Sequence, residues 1–312
     1  MLSRIKLTCW LFLAVTTLLT VNVTPLKADP PPGDPEWLLI FSDEFNELSL
    51  DLNTWDTHFF WGRILPGNNE EQYYMDDAYD FTGSYIRLRA DIREMNGFDY
   101  TSGMISSFDK FAFQYGYAEM RARIPAGQGF WPAFWLLPTA LGQDGGQTWP
   151  PEIDVFEILG HQPNYAYMTN WYGTWPDSIS SVQGVYIIHG TDFSEHFHTY
   201  AIEWTPNKIT WYIDGQIRFE STVGISQEEM YLLATFAVGG DWPGSPDATT
   251  PFPSYYDIDY IRVWQKLPLS QRLYLPVVFS SFKPMSTRST LDSNSGCPIC
   301  HYQAADRPRI GD

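Results

Sequence analysis

The chain has 312 residues, enough for one large or two small domains, and its 44% hydrophobic content excludes a wholly disordered protein. Nineteen Lys and Arg against 37 Asp and Glu leave a formal charge of −18, which argues against a broad basic face for nucleic acid or anionic membranes and against a polyanionic substrate. Aromatics make up 17% of the chain, with 13 Trp, an excess that points to flat apolar surfaces in a core or a cleft, while three Cys cannot build a dense disulfide framework.

At the N-terminus, Arg4 and Lys6 precede the mostly apolar run Leu7 to Val23, and Ala28 sits before Asp29-Pro30-Pro31-Pro32. This pattern predicts a secretory signal peptide over 1–28, the alternative being an uncleaved anchor. Its removal takes away Arg4, Lys6 and Lys27 and no acidic residue, so the charge falls to −21. No later stretch reaches the ~20 apolar residues of a membrane span. The expectation is a secreted, extracellular protein with no membrane association after signal removal and no nucleic-acid partner. Residues 29–36 read as a Pro-rich linker.

From 37 to 266 the chain carries short runs of period-two alternation, among them 84–90, 117–123 and 199–204, the mark of half-buried strands. Asp214-Gly215 between two such runs predicts a two-residue hairpin. Many short strands without a long helical pattern predict one all-β domain, a two-sheet antiparallel β-sandwich or jelly roll. Residues 267–312 form a tail of different character, rich in Ser and Thr over 283–296. Its Cys297-Pro298-Ile299-Cys300-His301 matches the C-x-x-C-H pattern of c-type haem attachment. The segment is too small and polar for an obvious haem pocket, so a local disulfide or a pair of free thiols is the preferred reading.

The sharpest feature is Pro151-Glu152-Ile153-Asp154-Val155-Phe156-Glu157-Ile158, in which three carboxylates share six residues of strand-like sequence. On a regular strand Glu152 and Asp154 share a face and Glu157 points the other way. One extra residue in a β-bulge would return Glu157 to the first face. The two Glu would then stand roughly 13 Å apart at their α-carbons, and side chains leaning inward could approach the ~5–5.5 Å carboxyl separation of a retaining glycosidase. In that mechanism one carboxylate attacks the anomeric carbon and the other, protonated, serves the leaving oxygen. A solvated acidic edge or a metal site is the alternative that the spacing leaves open.

Glu152-Ile153-Asp154-Val155-Phe156-Glu157 resembles the catalytic motif of glycoside hydrolase family 16, in the longer form of laminarinase-like endo-β-1,3-glucanases. The resemblance extends over about 37–265. Phe41-Ser42-Asp43-Glu44-Phe45-Asn46, the segment Asn68 to Tyr74, Gly116 to Arg123 running into Gly129 to Trp135, His198 to Trp204, and Ala237 to Gly244 follow in the family's order. It implies a concanavalin-like jelly roll with an open cleft and retaining hydrolysis inside a β-glucan chain. Glu152 would be the nucleophile, Asp154 the assisting acid and Glu157 the general acid/base. Mixed-linkage glucan, a galactan, or a non-catalytic glucan-binding lectin on the same fold are the alternatives.

The same resemblance nominates substrate-binding residues: Trp131, Trp135 and Trp149 for stacking on a sugar, Glu119 and Arg121 on one strand face, Asn170 and Tyr172 near the cleaved bond, Asn69 beside the cleft, and His198 to orient a carboxylate. Thr235 stands where the family often has Asn, which removes an amide from the cleavage point. Pro151 directly before Glu152 restricts the entry to the strand and is a candidate for fixing the bulge. No cofactor is required. A structural Ca²⁺ on the outer face could use Asp259, since oxygen ligands suit that ion. A monomer acting on a neutral polysaccharide is the expected form.

Overall fold

The computed structural model describes residues 36–141, 149–175 and 177–266. The expected leader, residues 29–35 of the linker, and the tail with Cys297 and Cys300 lie outside the described residues. Within them the chain is all-β. The first sheet contains β1 (Trp37–Asp43), β2 (Gln72–Tyr74), β3 (Tyr79–Phe81), β4 (Ile86–Met95), β5 (Phe98–Ser102), β8 (Gly116–Arg123), β13 (His198–Trp204), β14 (Ile209–Ile213), β15 (Gln216–Ser221) and β17 (Ser254–Lys266). The second contains β6 (Met104–Ser106), β7 (Ala112–Phe113), β9 (Phe130–Pro138), β10 (Glu152–Glu157), β11 (Tyr165–Thr174), β12 (Ser178–Ile187) and β16 (Met230–Val238). Pairing is antiparallel except between β2 and β5. Among the described residues no helix is long and apolar enough to cross a membrane.

Alternation in the first sheet supplies one half of the core. Ala118, Met120 and Ala122 of β8, Tyr200, Ile202 and Trp204 of β13, and Ile209, Trp211 and Ile213 of β14 all enter one apolar cluster. Their neighbours Tyr117, Glu119, Arg121 and Arg123 therefore face away from it. The predicted Asp214-Gly215 turn joins β14 to β15 with φ of 52° and 68°, the paired positive values of a type I′ hairpin.

The central strands of the second sheet are covered on both faces, and β9, β10 and β16 are buried throughout. Phe130, Phe134 and Leu136 of β9 and Leu232, Ala234 and Phe236 of β16 join the same core cluster. The alternate residues, Trp131, Ala133 and Trp135 with Tyr231, Leu233 and Ala237, form separate apolar groups on the other face.

The expected bulge is present in β10. Against β11, Asp154 and Glu157 pair with Thr169 and Tyr167, so three steps on one strand match two on the other. Against β9, Asp154 and Phe156 pair with the consecutive residues Trp135 and Phe134. Val155 and Phe156 both enter the core, and Phe156 packs on Tyr200 with ring centroids 4.1 Å apart. The backbone carbonyl of Asp154 accepts a hydrogen bond from the Trp211 indole of the opposite sheet at 2.8 Å. A bulge interrupts the ladder, and this cross-sheet donor satisfies a carbonyl at the interruption.

Trp211→Phe keeps most of the ring and removes that donor. Leaving a buried carbonyl unmatched is expected to cost about 1–3 kcal/mol of stability. Urea unfolding of the two proteins measures it, and an unchanged midpoint would show that the carbonyl finds another donor.

Candidate functional site

The bulge places three carboxylates on one side of the second sheet. Glu152, Asp154 and Glu157 are 5%, 2% and 2% exposed and all line one open cleft. Three indoles from three elements reach them. Trp149, just before β10, donates to Glu152 Oε2 at 2.9 Å. Trp171 of β11 donates to Asp154 Oδ2 at 3.2 Å. Trp131 of β9 donates to Glu157 Oε1 at 3.1 Å. An indole N–H can only donate, so each pair has a single polarity. Burial and the Glu152 charge push the neighbouring Tyr231 phenol well above its usual range.

The expected aromatic residues are thus in the cleft, each with a polar duty as well as an apolar face. Trp135 lines it and donates to Thr235 Oγ1 at 3.2 Å, so the hydroxyl that stands in place of an amide is an acceptor for the cleft floor. Around this floor Phe59 stacks on Trp61 at 4.5 Å, and Trp242 meets Trp131 and Tyr167 edge-on at 5.3 and 4.9 Å. The bulge lies beyond Pro150-Pro151, between Asp154 and Glu157, so its location does not assign it to Pro151.

Other nominated residues lie elsewhere. Glu119 and Arg121 share a face, as their spacing requires, but that face is the outer one of the first sheet. Glu119 accepts from Tyr260 and Tyr117 hydroxyls, and Arg121 pairs with Asp259 at 2.5 Å and lies over the Phe197 ring. Asn170 and Tyr172 point behind β11. Asn170 donates to the carbonyls of Val223 and Gly224, and the Tyr172 ring packs against Gly224. It is Trp171 between them that faces the carboxylates. His198 sits at the end of the core beside Phe193, with Nδ1 2.8 Å from Asp214 Oδ2. Asn69 is exposed at φ 52° and donates to Asp241 Oδ2 at 2.9 Å. Its neighbours Asn68 and Glu70 are the ones that line the cleft.

Asp259, the residue nominated for Ca²⁺, has its carboxylate paired with the Arg121 guanidinium.

Sequence reasoning missed Glu70, Asn68 and Trp171. Glu70 is buried, and its oxygens accept from Asn68 Nδ2 at 3.1 Å and Gln72 Nε2 at 2.7 Å. The alternation Asn68, Glu70, Gln72 was available as a signal, although Asn68 ends a 3-10 turn and only Gln72 belongs to β2.

A two-sheet jelly roll with carboxylates set among indoles in an open cleft defines a protein of the glycosyl hydrolase kind. The chain belongs to glycosyl hydrolases family 16, whose sequence profile matches residues 67–262. It is 37% identical over 247 residues to the endo-1,3-1,4-β-glycanase ExsH of Rhizobium meliloti (strain 1021), covering 72% of this chain and 51% of that protein. It is 32% identical over 267 residues to a β-glucanase of Rhodothermus marinus, covering 78% and 91%. The structure matches the laminarinase catalytic domain of Thermotoga maritima MSB8 with a TM-score of 0.66 and 34% identity, covering 74% of this chain and 99% of that one. The chain spans about half the length of two Rhizobium meliloti relatives, 51% in each case.

The placement of Glu119 has a measurable signature. Burial pushes its carboxyl above the usual 4.5, against hydrogen bonds from Tyr260 and Tyr117 that pull it down. A carboxyl with a raised folded pKa holds its proton more tightly in the folded state. Stability therefore falls as pH rises from the unfolded value through the folded one, and stays lower above it. Glu119→Gln should flatten the loss in melting temperature as pH rises above the usual 4.5 and leave turnover unchanged. A large fall in turnover would put Glu119 back in the cleft.

Proposed function

We propose that this protein is a secreted, monomeric, retaining endo-glycosidase that hydrolyses internal β-1,3 linkages of a neutral, laminarin-type β-glucan. The observation that carries the reading is the bulge in β10, which sets Glu152, Asp154 and Glu157 on one face of an aromatic-walled cleft. The names of the Rhodothermus and Thermotoga relatives support the glucan.

In the first step a Glu152 carboxylate oxygen attacks the anomeric carbon. The glycosidic C–O bond breaks, its electron pair goes to the leaving oxygen, and Glu157 supplies that oxygen with a proton. A glycosyl ester on Glu152 and a Glu157 carboxylate result. In the second step a water gives its proton to Glu157 while its oxygen attacks the anomeric carbon and displaces Glu152. Two inversions retain the configuration, and both carboxyls return to their starting states.

The mechanism requires Glu157 to carry the proton that the leaving oxygen takes. Asp154 lies between the two Glu, steadied at its carboxylate by Trp171 and at its backbone by Trp211, and it orients the nucleophile. The indole faces of the cleft suit the apolar face of a pyranose. The water-excluding pocket around each carboxylate strengthens the electrostatic terms on which both steps depend.

A second reading, cleavage of mixed β-1,3-1,4-glucan, is favoured by the name of the Rhizobium relative. A panel of laminarin, mixed-linkage β-glucan, xyloglucan, agarose and carrageenan separates them. Laminarin should be cleaved with retention, and Glu152→Gln should abolish the cleavage. Glu157→Gln should lower turnover of laminarin by ~10²–10⁴-fold and slow release of a good aryl leaving group much less, because that group needs no proton. Cleavage of another polymer alone would keep the mechanism and overturn the substrate. Glucan binding by the wild type without cleavage of any polymer would identify a lectin.

A further inference from the structure

The mechanism leaves one buried carboxylate in the cleft without a task. Glu70 lies among the cleft-lining residues, next to Asn68, and is held inside a chain of hydrogen bonds whose direction is fixed at one end. The backbone N–H of Val238 in β16 can only donate, and it donates to Gln72 Oε1 at 2.7 Å. Gln72 must therefore turn its NH₂ the other way, and Nε2 donates to Glu70 Oε2 at 2.7 Å. A carboxylate at Glu70 can only accept. It takes the Asn68 NH₂ on its second oxygen at 3.1 Å. The buried Tyr74 phenol also hydrogen-bonds Glu70.

One end of the Asn68 amide is thereby committed. Its nitrogen faces Glu70, and its oxygen is turned away from the carboxylate in a residue that lines the cleft. The segment is anchored as a unit, since the Asn68 carbonyl accepts from Asp241 N at 3.0 Å and Glu71 N donates to Val238 O at 2.8 Å.

We propose that Glu70 is a positioning residue that sets the hydrogen-bond polarity of this wall, so that Asn68 presents Oδ1 as an acceptor to a hydroxyl of the bound sugar. The proposal rests on the glucan reading above and deepens it. An acceptor wall selects a hydroxyl that points at it. A sugar whose hydroxyl at that place is replaced or turned away loses the bond and leaves a buried acceptor unmatched.

Glu70→Gln tests it, because the change preserves shape and removes the ability to accept twice. Gln72 remains fixed by Val238, so the new amide must turn its oxygen to Gln72 and its NH₂ to Asn68. Asn68 then flips and offers NH₂ to the cleft. The exchanged pair Glu70→Gln with Asn68→Asp restores the pattern: the amide introduced at position 70 donates to one oxygen of the carboxylate introduced at position 68, and the other oxygen faces the cleft as an acceptor.

The readout is calorimetric binding of a β-1,3-linked glucotetraose to the Glu152→Gln protein, which does not consume it, alongside melting temperatures. Glu70→Gln in that background should weaken binding by about 5- to 100-fold. The exchanged pair should recover it to within about 3-fold, since acceptor polarity is restored. Weakened binding that the exchange does not recover overturns the proposal, as does a lowered melting temperature with unchanged affinity. Should Glu70→Gln fail to fold, Asn68→Ala takes its place. It should weaken binding comparably, and unchanged affinity overturns the proposal. A Glu152→Gln parent that binds no glucotetraose overturns the glucan reading itself, and the proposal falls with it. That failure is distinct because it appears before any change at Glu70.

Discussion

The structure depends on a single extra residue in β10. With regular alternation, Glu157 would point into the sandwich and carry an unmatched charge into a core of Phe, Trp and Ile side chains, at a penalty of several kcal/mol. With the bulge, Val155 and Phe156 fill the core together and all three carboxylates face the cleft. The irregularity is held from behind. Trp211, on the opposite sheet, closes the carbonyl of Asp154, and Tyr200 packs on Phe156. Packing between the two sheets and arrangement of the cleft floor are thus one problem with one solution, because the atoms that stabilise the bulge belong to the core.

The cleft answers a second constraint, the cost of burying carboxylates. It does so with neutral donors on neighbouring elements. Trp131, Trp149 and Trp171 come from β9, from the entry to β10 and from β11, and each delivers one N–H to one carboxylate. A neutral donor stabilises a carboxylate without bringing a second charge into the cleft. Trp131 and Trp149 also line the cleft with apolar surface. One residue type therefore does two jobs at the cleft, while most of the other aromatics fill the core.

Much of this was legible in the residues. Three carboxylates in six strand-like positions point to a bulge, and the bulge is there. Period-two runs gave the strands, and Asp214-Gly215 gave the hairpin. What parity cannot reveal is which sheet a strand joins or which of its faces is inward. Glu119 and Arg121 share a face, as read, but on the far side of the first sheet. Asn170 and Tyr172 likewise share a face, and it is the wrong one. The register that puts Thr169 opposite Asp154 puts Trp171 beside the carboxylates instead. His198 is read as orienting a carboxylate, and the one its Nδ1 meets is Asp214, at the end of the core. Glu70 escaped because a Glu beside another Glu ahead of a short strand reads as a solvated loop. Only the long-range bonds of its neighbours Glu71 and Gln72 to Val238 tie it to the second sheet.

The floor of the cleft is made by β9, β10 and β16, while Asn68 and Glu70 line it, and Trp242 packs on Trp131, from connecting segments outside those strands. The bulge ties the three carboxylates to the space between the sheets, whereas Gln72 to Val238 and Asn68 to Asp241 tie the wall to the end of β16 and the turn beyond it. A disturbance of the carboxylate strand is therefore felt across the sandwich, and one in the wall is felt along a single strand end.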